Sequence, residues 1–191
     1  MLIEFLLTLS APVAITEVDC DIDEVVYQLK GAPQFTAGFE PQIRQTSYAS
    51  ELVFWLKTPK QVYWFAFNSP NGYGGTFISP DVDPGRIRLM SEAERDADED
   101  SRRLADSARG TEALSLDFDA FRPDLTVYEA PPQRSDRAPA RLFARGLGLA
   151  LWYNPTELSG GDGTAEQESM PIAMFEPARC GGAQLREPHK K

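Results

Sequence analysis

The sequence predicts a mainly β fold, with α+β as the alternative. The expected architecture is an antiparallel sheet or β-sandwich of short aromatic-rich strands, with one exposed charged helix at about 91–109. Three observations carry this expectation. Apolar and polar residues alternate with period two through several short runs. Turns containing Gly and Pro punctuate those runs. One segment alone, SEAERDADEDSRRLADSAR (91–109), leaves the pattern, with seven acids, four arginines and helical spacing.

The chain has 191 residues and opens on MLIEFLLTLSAPVA. An apolar run ending in small residues reads as the remnant of a secretory signal over 1–14. It departs from that pattern in three ways: no Lys or Arg precedes the run, Glu4 interrupts it, and a cut after Ala14 puts Pro12 where a small residue is wanted. The alternative is a first strand or helix of a cytosolic protein. Residues 15–180 are then expected to form a single β-rich domain and 181–191 a polar tail. No later segment reaches the roughly 18 apolar residues of a helical membrane span, so no transmembrane segment is expected.

Val18, Cys20 and Ile22 alternate with Asp19, Asp21 and Asp23, a strand-like pattern within 12–30. Gly31 to Pro33 break the chain. QFTAGFEPQIR (34–44) is interrupted at Gly38 and Pro41, which predicts two short strands or one bulged strand. ELVFWLK (51–57) and VYWFAFN (62–68) are strands joined by a tight turn over 58–61, where the fixed φ of Pro59 suits the second position. Both are apolar on both faces. Leu52, Phe54 and Leu56 oppose Val53 and Trp55, and Tyr63, Phe65 and Phe67 oppose Val62, Trp64 and Ala66. A sheet with one wet face alternates apolar with polar, so both faces are expected to be covered and most of these aromatics to be core.

SPNGYGG (69–75) follows, a turn-forming loop whose glycines permit conformations closed to other residues. It lacks the GK[ST] of a phosphate-cradling loop. Asn71 and Tyr73 are its candidate binding residues, Tyr73 being bulky on a glycine-rich tip. TFIS (76–79) completes a meander. In the acidic segment, Ser91 and Glu94 form a capping box and Gly110 stands at the expected C-terminus. A thin stripe of Ala93, Ala97, Leu104 and Ala108 would dock an otherwise solvated helix. TEALSLDFDAF (111–121) returns to alternation with Leu114, Leu116 and Phe118 inward. LTVYEA (125–130) reads as a strand and 131–140 as a loop, since Pro139 breaks the helical spacing of Arg134, Arg137, Arg141 and Arg145. ARLFARGLGLALWYNP (140–155) reads as a strand, its two glycines counting against a helix. Residues 156–170 read as a loop, and MPIAMFEP (170–177) as a last strand.

Charge and composition narrow the function. A formal net charge of −10 opposes phosphate backbones and anionic lipid surfaces, so no nucleic-acid partner is expected. His189 is the single histidine, which leaves no multi-histidine metal site and no catalytic triad away from the tail. HExxH, GxSxG, the dinucleotide fingerprint and the Walker sequence are absent, and no cofactor is expected. Cys20 and Cys180 match no zinc spacing. In an oxidising compartment they would form one disulfide across almost the whole chain; in the cytosol they would be separate thiols.

Carboxylates remain. Asp117 and Asp119 share a strand face, their Cα atoms about 6.8 Å apart at strand rise, a spacing open to the acid and base of a glycoside hydrolase. Asp162, Glu166 and Glu168 lie in a glycine-rich loop and are weak calcium candidates, outside EF-hand spacing. These features support an exported, periplasmic or secreted, β-rich binding protein without catalytic activity, meeting a protein or carbohydrate of the envelope. The alternatives are a carboxylate-dependent hydrolase of cell-wall or extracellular polysaccharide and a cytosolic β-rich protein.

Overall fold

Alternation dictates an antiparallel meander, and the chain follows it until the sheet meets itself. The computed structural model describes residues 18–43, 49–69, 75–98, 114–159, 165–181 and 183–184. Their strands are β1 (Val25–Leu29), β2 (Ala32–Pro41), β3 (Leu52–Lys57), β4 (Val62–Asn68), β5 (Thr76–Asp81), β6 (Leu116–Phe121), β7 (Arg141–Ala144), β8 (Phe175–Cys180) and β9 (Ala183–Gln184). Each pairs antiparallel with the next, and β1 also pairs with β8, from Val25 opposite Cys180 to Leu29 opposite Phe175. The first eight strands therefore close an up-and-down barrel, with β9 as a short hairpin return on β8. The β7–β8 seam is the narrowest, resting on Leu142 opposite Phe175.

The mainly β, antiparallel expectation holds, and closure supplies the second layer that the apolar inner faces demanded. Tyr27, Phe39, Phe54, Phe65, Phe67, Phe118 and Phe175 all point inward and are buried. Phe118 meets Phe54 and Phe67 edge-on at 5.1 and 5.2 Å between ring centroids. Such tilted contacts suit the ring quadrupole and fill the lumen with side chains. The outer faces behave differently. Val53 and Ala66 are buried, but Trp55 and Trp64, opposite each other on β3 and β4, are only half-buried. Helix α1 (Pro84–Leu89) provides part of the outer cover: Pro84 and Ile87 line a narrow crevice with Val53, Val82, Gln42 and Ile43. Asp83 caps it, its carboxylate accepting from Gly85 N at 2.7 Å, with Pro84 at the first helical position.

Several element expectations need correction. Strand β1 starts only at Val25, after a turn over 22–24. Strand β2 runs unbroken through Gly38 to Pro41, because Gly38 lets the indole of Trp55 lie on its backbone. Residues 125–130 make no strand: Leu125 has φ 68° and only Val127 bridges, to Phe121. The 140–155 run is a strand only as β7. Gly146, at φ 80°, then turns the chain into α3 (Leu147–Tyr153), followed by α4 (Pro155–Leu158). The capping box is formed, Glu94 accepting from Ser91 N at 2.8 Å, and residues 92–98 are helical as α2. The rest of 91–109, the signal-like segment 1–14 and almost all of the tail from 182 lie outside the described residues.

Both barrel ends are covered. At one end, Cys20 and Cys180 are bridged with Cα atoms 5.9 Å apart, the expected disulfide. Ile22 is buried there, Ala138 N donates to Cys20 O at 3.0 Å, and Tyr27 OH donates to Pro139 O at 2.9 Å. At the other end Leu147, Ala150, Leu151 and Leu158 join the core from α3 and α4. Among the described residues, no helix is long and apolar enough to cross a membrane.

Candidate binding surface

The surface that stands out is built on α3. Its seven residues LGLALWY split by helical period into two faces. Leu147, Ala150 and Leu151 turn inward, at spacings of three and four. Leu149, Trp152 and Tyr153 repeat the same spacing on the other side and are 61, 43 and 71% exposed. Residues 168–172 run alongside: Glu168 N donates to Leu151 O at 3.1 Å, and a Cβ on Gly148 would lie 2.7 Å from Met170 O. Two residues further, Ile172 is 84% exposed. A single exposed leucine is ordinary, but three large apolar side chains exposed along one helix face, with Ile172 exposed on the adjoining segment, are not.

The sequence around it is one-sided in charge, and those of its acids that pair draw their cations from elsewhere in the chain. From 146 to 178 the chain has no Lys, Arg or His, while Glu157, Asp162, Glu166, Glu168 and Glu176 all fall there. Three of these acids are already engaged within the fold: Glu168 is buried, Glu166 pairs with Lys60, and Glu176 pairs with Lys30 and Arg141.

The segment flanking α3 is pinned by a buried carboxylate. Glu168 is buried and accepts from Thr58 Oγ1 at 2.7 Å and Tyr63 OH at 3.2 Å. Burial pushes the Tyr63 phenol up to about 12; the Glu168 charge adds to this and a hydrogen bond with Gln61 works against it. Glu166 points elsewhere, to Lys60 Nζ, whose hydrogen bond and charge hold its carboxyl below the usual range. Lys60 also donates to Gln167 O at 3.1 Å. The two described calcium candidates thus diverge, and neither belongs to a three-ligand cluster among the described residues. Asp162 lies outside them, as do Asn71 and Tyr73.

Asp117 and Asp119 stand side by side on β6, as alternation predicts, but on the outer wall of the barrel. Arg145 lies between them, 3.7 Å from Asp117 and 3.6 Å from Asp119. The guanidinium ties β6 to the end of β7, reinforced by Arg145 N donating to Asp117 O at 2.9 Å. The two carboxylates thus share one cation on the outer wall instead of facing each other across a cleft. The aspartate row at 19–23 is likewise engaged: Arg137 pairs with Asp19 and Asp21, and Arg134 with Asp23.

Leu149, Trp152, Tyr153 and Ile172 were all missed from sequence. Their signal was the three-and-four spacing in LGLALWY, which coexists with strand alternation. Two glycines lower helix propensity here, yet Gly146 starts the helix and Gly148 lets it lie against residue 170. No family model matches this chain, and no curated protein or solved structure matches it.

Proposed function

We propose that the protein is an exported binding module that performs no chemistry of its own and engages a protein partner through the outer face of α3. The observation that carries this is the exposed cluster Leu149, Trp152 and Tyr153 with Ile172 beside it. A protein surface suits the cluster better than a sugar, because Leu149 and Ile172 offer no flat ring for stacking. The aromatic filling of the barrel supports the same reading, since a lumen occupied by Phe39, Phe54, Phe67, Phe118 and Phe175 leaves its outer surface to do the binding. Export is supported by the Cys20–Cys180 bridge, which persists in oxidising compartments, and by the apolar run over 1–14. The Tyr73 loop remains a candidate for a further contact.

The test of export is the intact mass of the protein from its native host, trapped with a thiol alkylator before any reduction. Export predicts a mass lacking the first residues and no alkylation. A full-length mass carrying two alkyl groups would place the chain in a reducing compartment and remove that half of the reading.

A further inference from the structure

The disulfide end of the barrel holds more than a disulfide. Cys20 precedes β1, Cys180 ends β8, and Glu24 stands just before β1; their two Sγ atoms and a Glu24 carboxylate oxygen all lie within 4.8 Å of one another. Each is positioned by bonds that do not pass through the sulfurs. Cys20 O accepts from Ala138 N at 3.0 Å, and Glu24 O accepts from Gly181 N at 3.1 Å. Cys180 sits opposite Val25 on one side and Ala183 on the other. The neighbouring acids Asp19, Asp21 and Asp23 are paired with arginines, whereas among the described residues the Glu24 carboxylate has no such partner. A carboxylate beside two sulfurs becomes a ligand set when the bridge is reduced to two thiols.

We propose that the reduced protein binds a zinc ion through Cys20, Cys180 and Glu24, so that this corner of the barrel holds either the bridge or the metal. Zinc takes thiolates at about 2.3 Å and carboxylate oxygen at about 2.0–2.2 Å in a tetrahedron, which sets its ligand atoms under about 4 Å apart. With the bridge open the two sulfurs part toward that spacing, the Glu24 oxygen already lies within 4.8 Å of both, and the fourth position is left for water. A dithiol reductant supplies two electrons and two protons, becomes a disulfide itself and leaves two thiols. Zinc then displaces both thiol protons and is bound by two thiolates. The bridged form belongs to oxidising compartments and the metal form to reducing ones. None of this depends on the α3 reading.

The experiment takes the full-length protein, opens the bridge with a phosphine under anaerobic conditions, and titrates with Co²⁺ and then Zn²⁺. The reduced protein is expected to take up one Co²⁺ with near-ultraviolet thiolate-to-metal absorption, which Zn²⁺ abolishes, while the bridged protein shows none. Cys20→Ser is expected to lose the band. Glu24→Gln is expected to keep a thiolate band but lose affinity by at least the roughly tenfold that loss of a supporting partner costs a metal site. Near-ultraviolet circular dichroism keeps the test decisive if reduction loosens the fold, because Zn²⁺ is then expected to restore the native signal of the reduced chain and not to alter the bridged one. Absence of the band, unchanged affinity in Glu24→Gln, or a reduced chain that Zn²⁺ leaves unfolded would overturn the proposal.

Discussion

Gly148 lies against the carbonyl of Met170 so closely that a Cβ at Gly148 would stand 2.7 Å from that oxygen. The contact is backbone on backbone, so neither side can swing aside, and it fixes α3 beside residues 168–172. Gly148→Ala sets two effects against each other. Alanine gains about 1 kcal/mol of helix propensity, while overpacking against a rigid neighbour costs typically about 1–3 kcal/mol. The expected result is a net loss of about 1 kcal/mol in urea unfolding. A more stable variant would mean that α3 does not dock here.

Trp152→Ala and Tyr153→Ala remove exposed rings, so each is expected to change stability by no more than about 0.5 kcal/mol. Both are expected to lower the fluorescence of an apolar-surface dye added to the folded protein. A large loss of stability with unchanged dye binding would show these rings to be core.

The Tyr63 phenol is held at about 12 in the fold, against about 10 in an unfolded chain. A folded value above the unfolded one contributes stability that is fully present below pH 10 and lost as pH rises toward 12. Burial also pushes Tyr27 well above its ordinary value. Absorbance titration of the six tyrosines is expected to leave Tyr27 and Tyr63 un-ionised until the protein unfolds. Tyr63→Phe is expected to flatten the alkaline fall in stability, and at neutral pH to cost about 1 kcal/mol through the hydrogen bond lost to Glu168. Ionisation of all six tyrosines near pH 10 in folded protein would contradict this.

Opening the Cys20–Cys180 bridge frees a loop of sequence separation 160. The chain-entropy model assigns such a closure about 5 kcal/mol, and measured values run lower. Reduction without added metal is expected to lower unfolding stability by about 3–5 kcal/mol, read from urea midpoints. A change under about 1 kcal/mol would mean that the ladder between Val25 and Cys180 already closes the barrel unaided.

What could be read in advance followed from local chemistry. Alternation placed Tyr63, Phe65 and Phe67 on one face and Trp64 on the other, and two cysteines with no metal spacing pointed to each other. The closure of β1 on β8 was not legible, because Val25 and Cys180 are far apart in sequence and no local pattern distinguishes a sandwich from a barrel. The α3 face was hidden for a different reason. Gly146 needs a positive φ and Gly148 a close neighbour, and both needs come from tertiary structure, while propensity alone argues against a helix. For Asp117 and Asp119, alternation placed both on one face but could not show Arg145 arriving between them.

The most direct test of the account places a photo-crosslinking residue at position 149 and, as a control, at position 124, which is exposed in the loop ahead of β7 at the opposite barrel end. In the native host, illumination is expected to give one discrete adduct between the position-149 protein and a second protein, absent at position 124 and lost when Trp152→Ala is added. Equal adducts at both positions, or an adduct at 149 indifferent to Trp152, would contradict binding through the α3 face.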